Sequence, residues 1–200
     1  RAQPMPLLSI YRTSPLGMLG CLASGLVMGA FWTMAPVFCR MLGLSETATA
    51  IFMLVTILGG LTFLWPLGGL SDRLDRRIII IMLCATSAMA SLAMAVIGIE
   101  FSPVLLALAI VFGGFSFPIY SVSVAHTNDY LDSGDLVSAS SALLLVYGAG
   151  AVLGPLIAGL MMGWMGAKGL YIWTAGVMGF IVLFAIYRMQ VRASIPVDDQ

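Results

Sequence analysis

Charge is what this sequence lacks. Only 9% of its 200 residues are charged, whereas a soluble domain carries about 25%. With 60% hydrophobic residues and a mean hydropathy of +1.05, the chain has too little polar surface to cover a soluble fold of this length. Lipid is therefore the solvent for most of it. Acidic and basic side chains are also missing from the middle of every long apolar run, and such residues are the usual mark of a proton or ion relay. Cysteine is scarce. Cys21, Cys39 and Cys84 show no CxxC or Cys/His spacing, so they read as small packing residues rather than a metal site or disulfide framework. There is one histidine, no GxSxG, no HExxH and no pair of membrane carboxylates, so the chain is not read as an enzyme and no cofactor is expected. Period-2 alternation is absent and the apolar runs are too long for barrel strands. Residues 1–14 lack an apolar core of signal type and contain Pro4 and Pro6; starting at Arg1 rather than Met, they read as an interhelical linker.

What is present is six apolar stretches, each close to the ~20 residues that cross ~30 Å of hydrocarbon. The spacing predicts spans over 16–38, 48–67, 78–99, 103–125, 137–162 and 170–187. Ser45-Glu46 marks one helix start, and Pro103 suits the first turn of another. The expected fold is an all-α integral membrane bundle over 16–188, with a linker over 1–15 and a tail over 189–200. Fourteen methionines, including Met82, Met89, Met94, Met161 and Met162, read as apolar filling, and no metal is predicted. If the N-terminus lies inside, the inner side holds Arg1, Arg12, Arg73, Arg76, Arg77, Arg188 and Arg192, and the outer side only Arg40 and Lys168. Seven against two predicts both termini in the cytoplasm. The acidic inner stretch with Asp129, Asp132 and Asp135 does not reverse this, because the rule counts basic residues.

Between the second and third spans lies the run Gly68-Gly69-Leu70-Ser71-Asp72-Arg73-Leu74-Asp75-Arg76-Arg77. It resembles the signature of the major facilitator superfamily, G-x-x-x-D-R-x-G-R-R, with Gly68, Asp72, Arg73, Arg76 and Arg77 matching and Asp75 standing where the family usually has glycine. The resemblance implies a gating role: the aspartate meets the positive end of a helix dipole and nearby arginine, holding the outward-open state. The alternative is an ordinary inner loop that is basic for topology. The fifth span, Tyr147 to Gly159, resembles the glycine-rich fifth helix of the same superfamily. Its Gly150 and Gly154, and Gly159 with Gly163, are spaced for close helix approach. Pro155 permits a bend. Gly25 and Gly29 offer the same kind of seam on the first span.

Six spans are half of that family's usual twelve. The fourth span has no charge, the N-terminal segment resembles the loop joining the two halves, and Phe112 to Pro118 with Ala125 to Asp129 resembles an uncharacterised bacterial branch. These features identify the chain as the C-terminal half of such a transporter. The implied function is secondary transport of a small molecule by alternating access in a bacterial inner membrane, with membrane lipid and a second six-helix bundle as partners. The alternative is a sensor or anchor module that keeps the fold. In this family the first, second, fourth and fifth helices line the cavity and the third and sixth face lipid. Trp32, Thr33, Tyr120 and Tyr147 are then candidates for substrate contact, against the alternative that they simply pack. Ser116 and Ser123 are weaker, since a serine can bond back to its own helix. His126 and Asp129, three residues apart, are expected on one helix face as a cap and gate element, or as a proton acceptor.

Overall fold

The computed structural model describes residues 6–71, 73–97, 102–132 and 134–191. A short helix, α1 (Leu7–Thr13), leads into the long α2 (Pro15–Met41). Residues 7–13 of the expected linker are thus helical, with Ile10 fully buried. Next come α3 (Glu46–Ser71) and α4 (Arg76–Ile97), then α5 (Pro103–Ser116) and α6 (Pro118–Asn128), and finally α7 (Leu136–Met165) and α8 (Gly169–Val191). Taken with α5 and α6 as one span, six described segments are long and apolar enough to cross a membrane.

The ends are set by local chemistry. The Ser45 hydroxyl accepts from the Ala48 amide at 3.2 Å, and the Ser102 hydroxyl from the Leu105 amide at 3.3 Å. Each satisfies an amide that a helix start leaves orphaned. At the far end of α7, Gly166 adopts φ 72°, a left-handed conformation that side chains resist, and α8 begins three residues later. The fourth span divides at Pro118. Phe117 keeps helical angles (φ −65°, ψ −39°), so the chain runs on; what is lost is the proline's amide, and with it the partner of the Gly114 carbonyl.

Packing pairs α2 with α7, α3 with α5, and α4 with α8. First span meets fifth, second meets fourth, and third meets sixth. That is the arrangement expected of two three-helix units related by a pseudo-two-fold axis. Two of these pairs close through glycine. A Cβ on Gly25 or Gly29 would strike the backbone of Tyr147 and Ala151, and one on Gly150 would lie 2.5 Å from the Leu22 carbonyl oxygen. Gly154 sits equally tight against Leu26. The glycines read as separate seams on two spans are the two sides of one seam. The α3–α5 seam was not foreseen: Gly59 lies against the backbone of Ile110, and Gly113 against that of Thr56. By contrast Gly163 has nothing within 4 Å and Gly159 only the Met34 sulfur at 3.9 Å. That second spacing in α7 points away from any seam among the described residues.

A ring cluster fills the core towards the Arg40 and Lys168 end. Tyr171 of α8 meets Phe38 edge-on at 4.9 Å and Phe112 at 5.7 Å, joining α2, α5 and α8. The least buried spans are α3 and α7, each 28% buried along its most apolar stretch, against 50% for α4 and α8.

Candidate functional site

Trp32 of α2, Tyr120 of α6 and Tyr147 of α7 line a single pocket of about 220 Å³, together with Ser24, Met28 and Phe117. The α2–α7 seam positions two of them. Because Gly25 and Gly29 let α7 approach to backbone contact, Tyr147 is held beside α2. Its ring meets Tyr120 edge-on at 4.9 Å. Trp32, 47% exposed, lies 6.1 Å from Phe117, centroid to centroid. Phe117 was missed in the sequence; it sits at the helix junction before Pro118, which aims its ring between α2 and α3, where it also fills the space beside Gly60. Thr33 does not line this pocket. Its hydroxyl donates back to the Gly29 carbonyl at 2.8 Å. Ser116 is buried and shares a 2.6 Å hydrogen bond with Ser87. Ser123 is buried behind Gly20.

A second cluster forms at the bundle end where α1 and α2 meet. The Arg76 Nε lies 2.8 Å from Asp129 Oδ2, with both side chains largely buried. The Nε–H itself is not aligned on that oxygen. Arg77, only 4% exposed, donates to the Tyr130 hydroxyl at 2.6 Å. Tyr130 in turn stands edge-on to His126 at 5.3 Å. A cleft beside these groups is bounded by Thr13, Ser14, Arg77, His126, Tyr130 and Arg188. Arg76 and Arg77 of the charged loop and the candidates at the end of the fourth span therefore meet. Tyr130 had no sequence signal beyond lying four residues after His126. Asp129 follows α6 with near-helical angles (φ −61°, ψ −16°).

Asp75 replaces the family's glycine without straining the turn. Its carboxylate accepts from the Arg77 amide at 2.9 Å, and its carbonyl accepts from Ile78, so it caps α4. Gly68 has nothing within 4 Å of where a Cβ would stand, and Arg73 is exposed. Asp72 lies outside the described residues. Among the described residues, no three of His, Cys, Asp and Glu gather as a metal site.

Comparison with known proteins gives this geometry a family. The model of the Major Facilitator Superfamily matches residues 17–199. The chain is 30% identical over 186 residues to the "Uncharacterized MFS-type transporter YcaD" of Escherichia fergusonii, covering 93% of this chain and 47% of that protein. It is also 30% identical over 192 residues to the "Uncharacterized MFS-type transporter Ent638_1421" of Enterobacter sp., with the same coverage of each. The chain thus spans about half the length of the curated relatives it matches. Among solved structures, the POT family transporter PepTSo aligns with a TM-score of 0.70 at 14% identity, over 92% of this chain and 39% of that one; this likeness speaks for the fold alone. With six apolar spans, glycine seams and a family match over nearly its whole length, this integral membrane chain belongs to the Major Facilitator Superfamily.

Proposed function

We propose that this chain is the C-terminal six-helix half of a secondary transporter of the bacterial inner membrane, working by alternating access with a second bundle. The observation that carries the reading is the pocket of Trp32, Phe117, Tyr120 and Tyr147. It opens on one side of the bundle, so a facing bundle is needed to enclose a ligand. The exposed apolar rows of α3 and α7 offer the surface for that partner: Leu54, Leu58 and Leu61 on one, Val152, Leu156 and Leu160 on the other. Both termini face the cytoplasm, following the basic residues. Arg12, Arg76, Arg77 and Arg188 sit at one end of the bundle, and Arg40 and Lys168 at the other.

In this mechanism the two bundles rock about the pocket. The charged end, with Arg76–Asp129, Arg77–Tyr130 and the Asp72 loop, latches one end state. The test is a single cysteine at Trp32→Cys, labelled in intact cells and in inside-out vesicles. All three native cysteines are buried, so they leave a quiet background. Labelling from both sides is the expected result; labelling from one side only would favour the sensor or anchor reading. That second reading draws on the pocket lining, which contains no charged side chain to couple transport to an ion.

A further inference from the structure

We infer that the pocket between α2, α6 and α7 takes a bulky organic cation of diffuse charge, such as a quaternary ammonium or phosphonium. This deepens the transporter reading and rests on it. The lining chemistry selects the class. Four aromatic rings, Trp32, Phe117, Tyr120 and Tyr147, come from α2, the α5–α6 junction, α6 and α7. They stand in two pairs, Tyr120 with Tyr147 at 4.9 Å and Trp32 with Phe117 at 6.1 Å. Aromatic faces carry the negative lobe of the ring quadrupole. They attract a cation, more so where water is excluded, and they repel an anion.

The same lining disfavours other classes. A sugar or a zwitterion requires several convergent polar groups for its own hydrogen-bonding atoms. Here the wall offers the hydroxyls of Tyr120, Tyr147 and Ser24, while the nearby Thr33 hydroxyl is returned to its own helix. A small, strongly hydrated cation would need a carboxylate to replace its water, and this chain's wall of the pocket, among the described residues, supplies none. A cation whose charge is spread beneath methyl or phenyl groups sheds little hydration. It can then use ring faces together with the polarizable sulfur of Met28. Ser24 adds an ion–dipole contact through its hydroxyl oxygen. It is 1% exposed, its hydroxyl has no hydrogen-bond partner among the described residues, and it borders the pocket.

The experiment is equilibrium binding of radiolabelled tetraphenylphosphonium to membranes containing the chain assembled with its second six-helix bundle. Tetraphenylborate, of the same shape and opposite charge, is measured in separate samples, because the two ions precipitate each other. The expected result is saturable binding of the phosphonium and none of the borate. Trp32→Ala and Tyr147→Ala should each weaken it at least tenfold, and Trp32→Phe and Tyr147→Phe, which keep a ring, by less than about threefold. Equal saturable binding of the borate would mean a pocket blind to charge and would overturn the inference. Absence of saturable binding, or unchanged affinity in both alanine variants, would overturn it too. Labelling of Trp32→Cys from both sides alongside any of those failures removes the cation and leaves the transporter. Labelling from one side only removes the transporter itself.

Discussion

Arg76 and Asp129 come from different spans and face each other at 2.8 Å, largely out of solvent. Removing one member of such a pair takes away a charge contact held largely out of solvent, which costs about 3 kcal/mol at the lower end of measured cases. Asp129→Ala should therefore lower the detergent melting temperature markedly. The exchanged pair, Arg76→Asp with Asp129→Arg, should recover part of the loss; a double-mutant cycle without coupling would show that the contact is incidental. Asp75 calls for a milder change. Asp75→Ala removes a helix cap, for a loss of about 1 kcal/mol, whereas Asp75→Asn should retain most of the stability. The tryptophans divide by environment. Trp65, 89% exposed, lies towards the arginine end of α3, and Trp164, 80% exposed, ends α7 on the opposite side. Those are the levels where indole rings settle at the two membrane interfaces.

At the scale of elements, α2 and α7 form the tightest junction because glycine removes side chains from both helices where they cross. Pro155 contributes to it. Lacking an amide, it leaves the Ala151 carbonyl without its intrahelical partner, and that carbonyl faces Gly29 across the seam. A glycine facing a carbonyl at this range is suited to a weak Cα–H contact. Gly154→Ala would drive a methyl group into the Leu26 backbone, which cannot yield as a flexible side chain would. Thermal unfolding should show a loss of about 1–3 kcal/mol, the usual cost of overpacking. Gly163→Ala, with open space around it, should fall within about 0.5 kcal/mol of the parent. Equal effects at the two positions would mean that the seam does not control stability.

For the whole molecule, the open sides of α3 and α7 set the question of assembly. The native particle, measured as protein-only mass after mild extraction, should contain two six-helix bundles, either in one chain of about twice this length or as a complex. A stable particle of 21.2 kDa would leave the pocket open on one side and give the anchor reading the lead. Within an assembled transporter, the charged loop is expected to bias one end state. Asp72→Asn, at a position outside the described residues, should then raise labelling of Trp32→Cys from the cytoplasmic side; unchanged labelling from both sides would remove the latch.

Span number and approximate ends were legible in the sequence because the hydrocarbon fixes helix length and hydropathy locally, one span at a time. The charged loop, Pro103 and Ser45 were legible for the same reason, as signals read by their immediate neighbours. The short α1 was obscured by flanking prolines, and its helix is secured by docking Ile10 against the bundle. Tertiary structure alone decided which seams meet. Gly25 and Gly29 could have faced open space, as Gly163 does, and nothing local distinguishes the two cases. It also decided that Phe117 joins Trp32, Tyr120 and Tyr147 while Thr33 turns back to its own helix, and that Arg77 reaches Tyr130 across 53 residues. In lipid, where the hydrophobic effect no longer sorts one helix face from another, partners are chosen by close packing and by scarce polar contacts. Those belong to pairs of helices, and a single chain read in order does not contain the pairing.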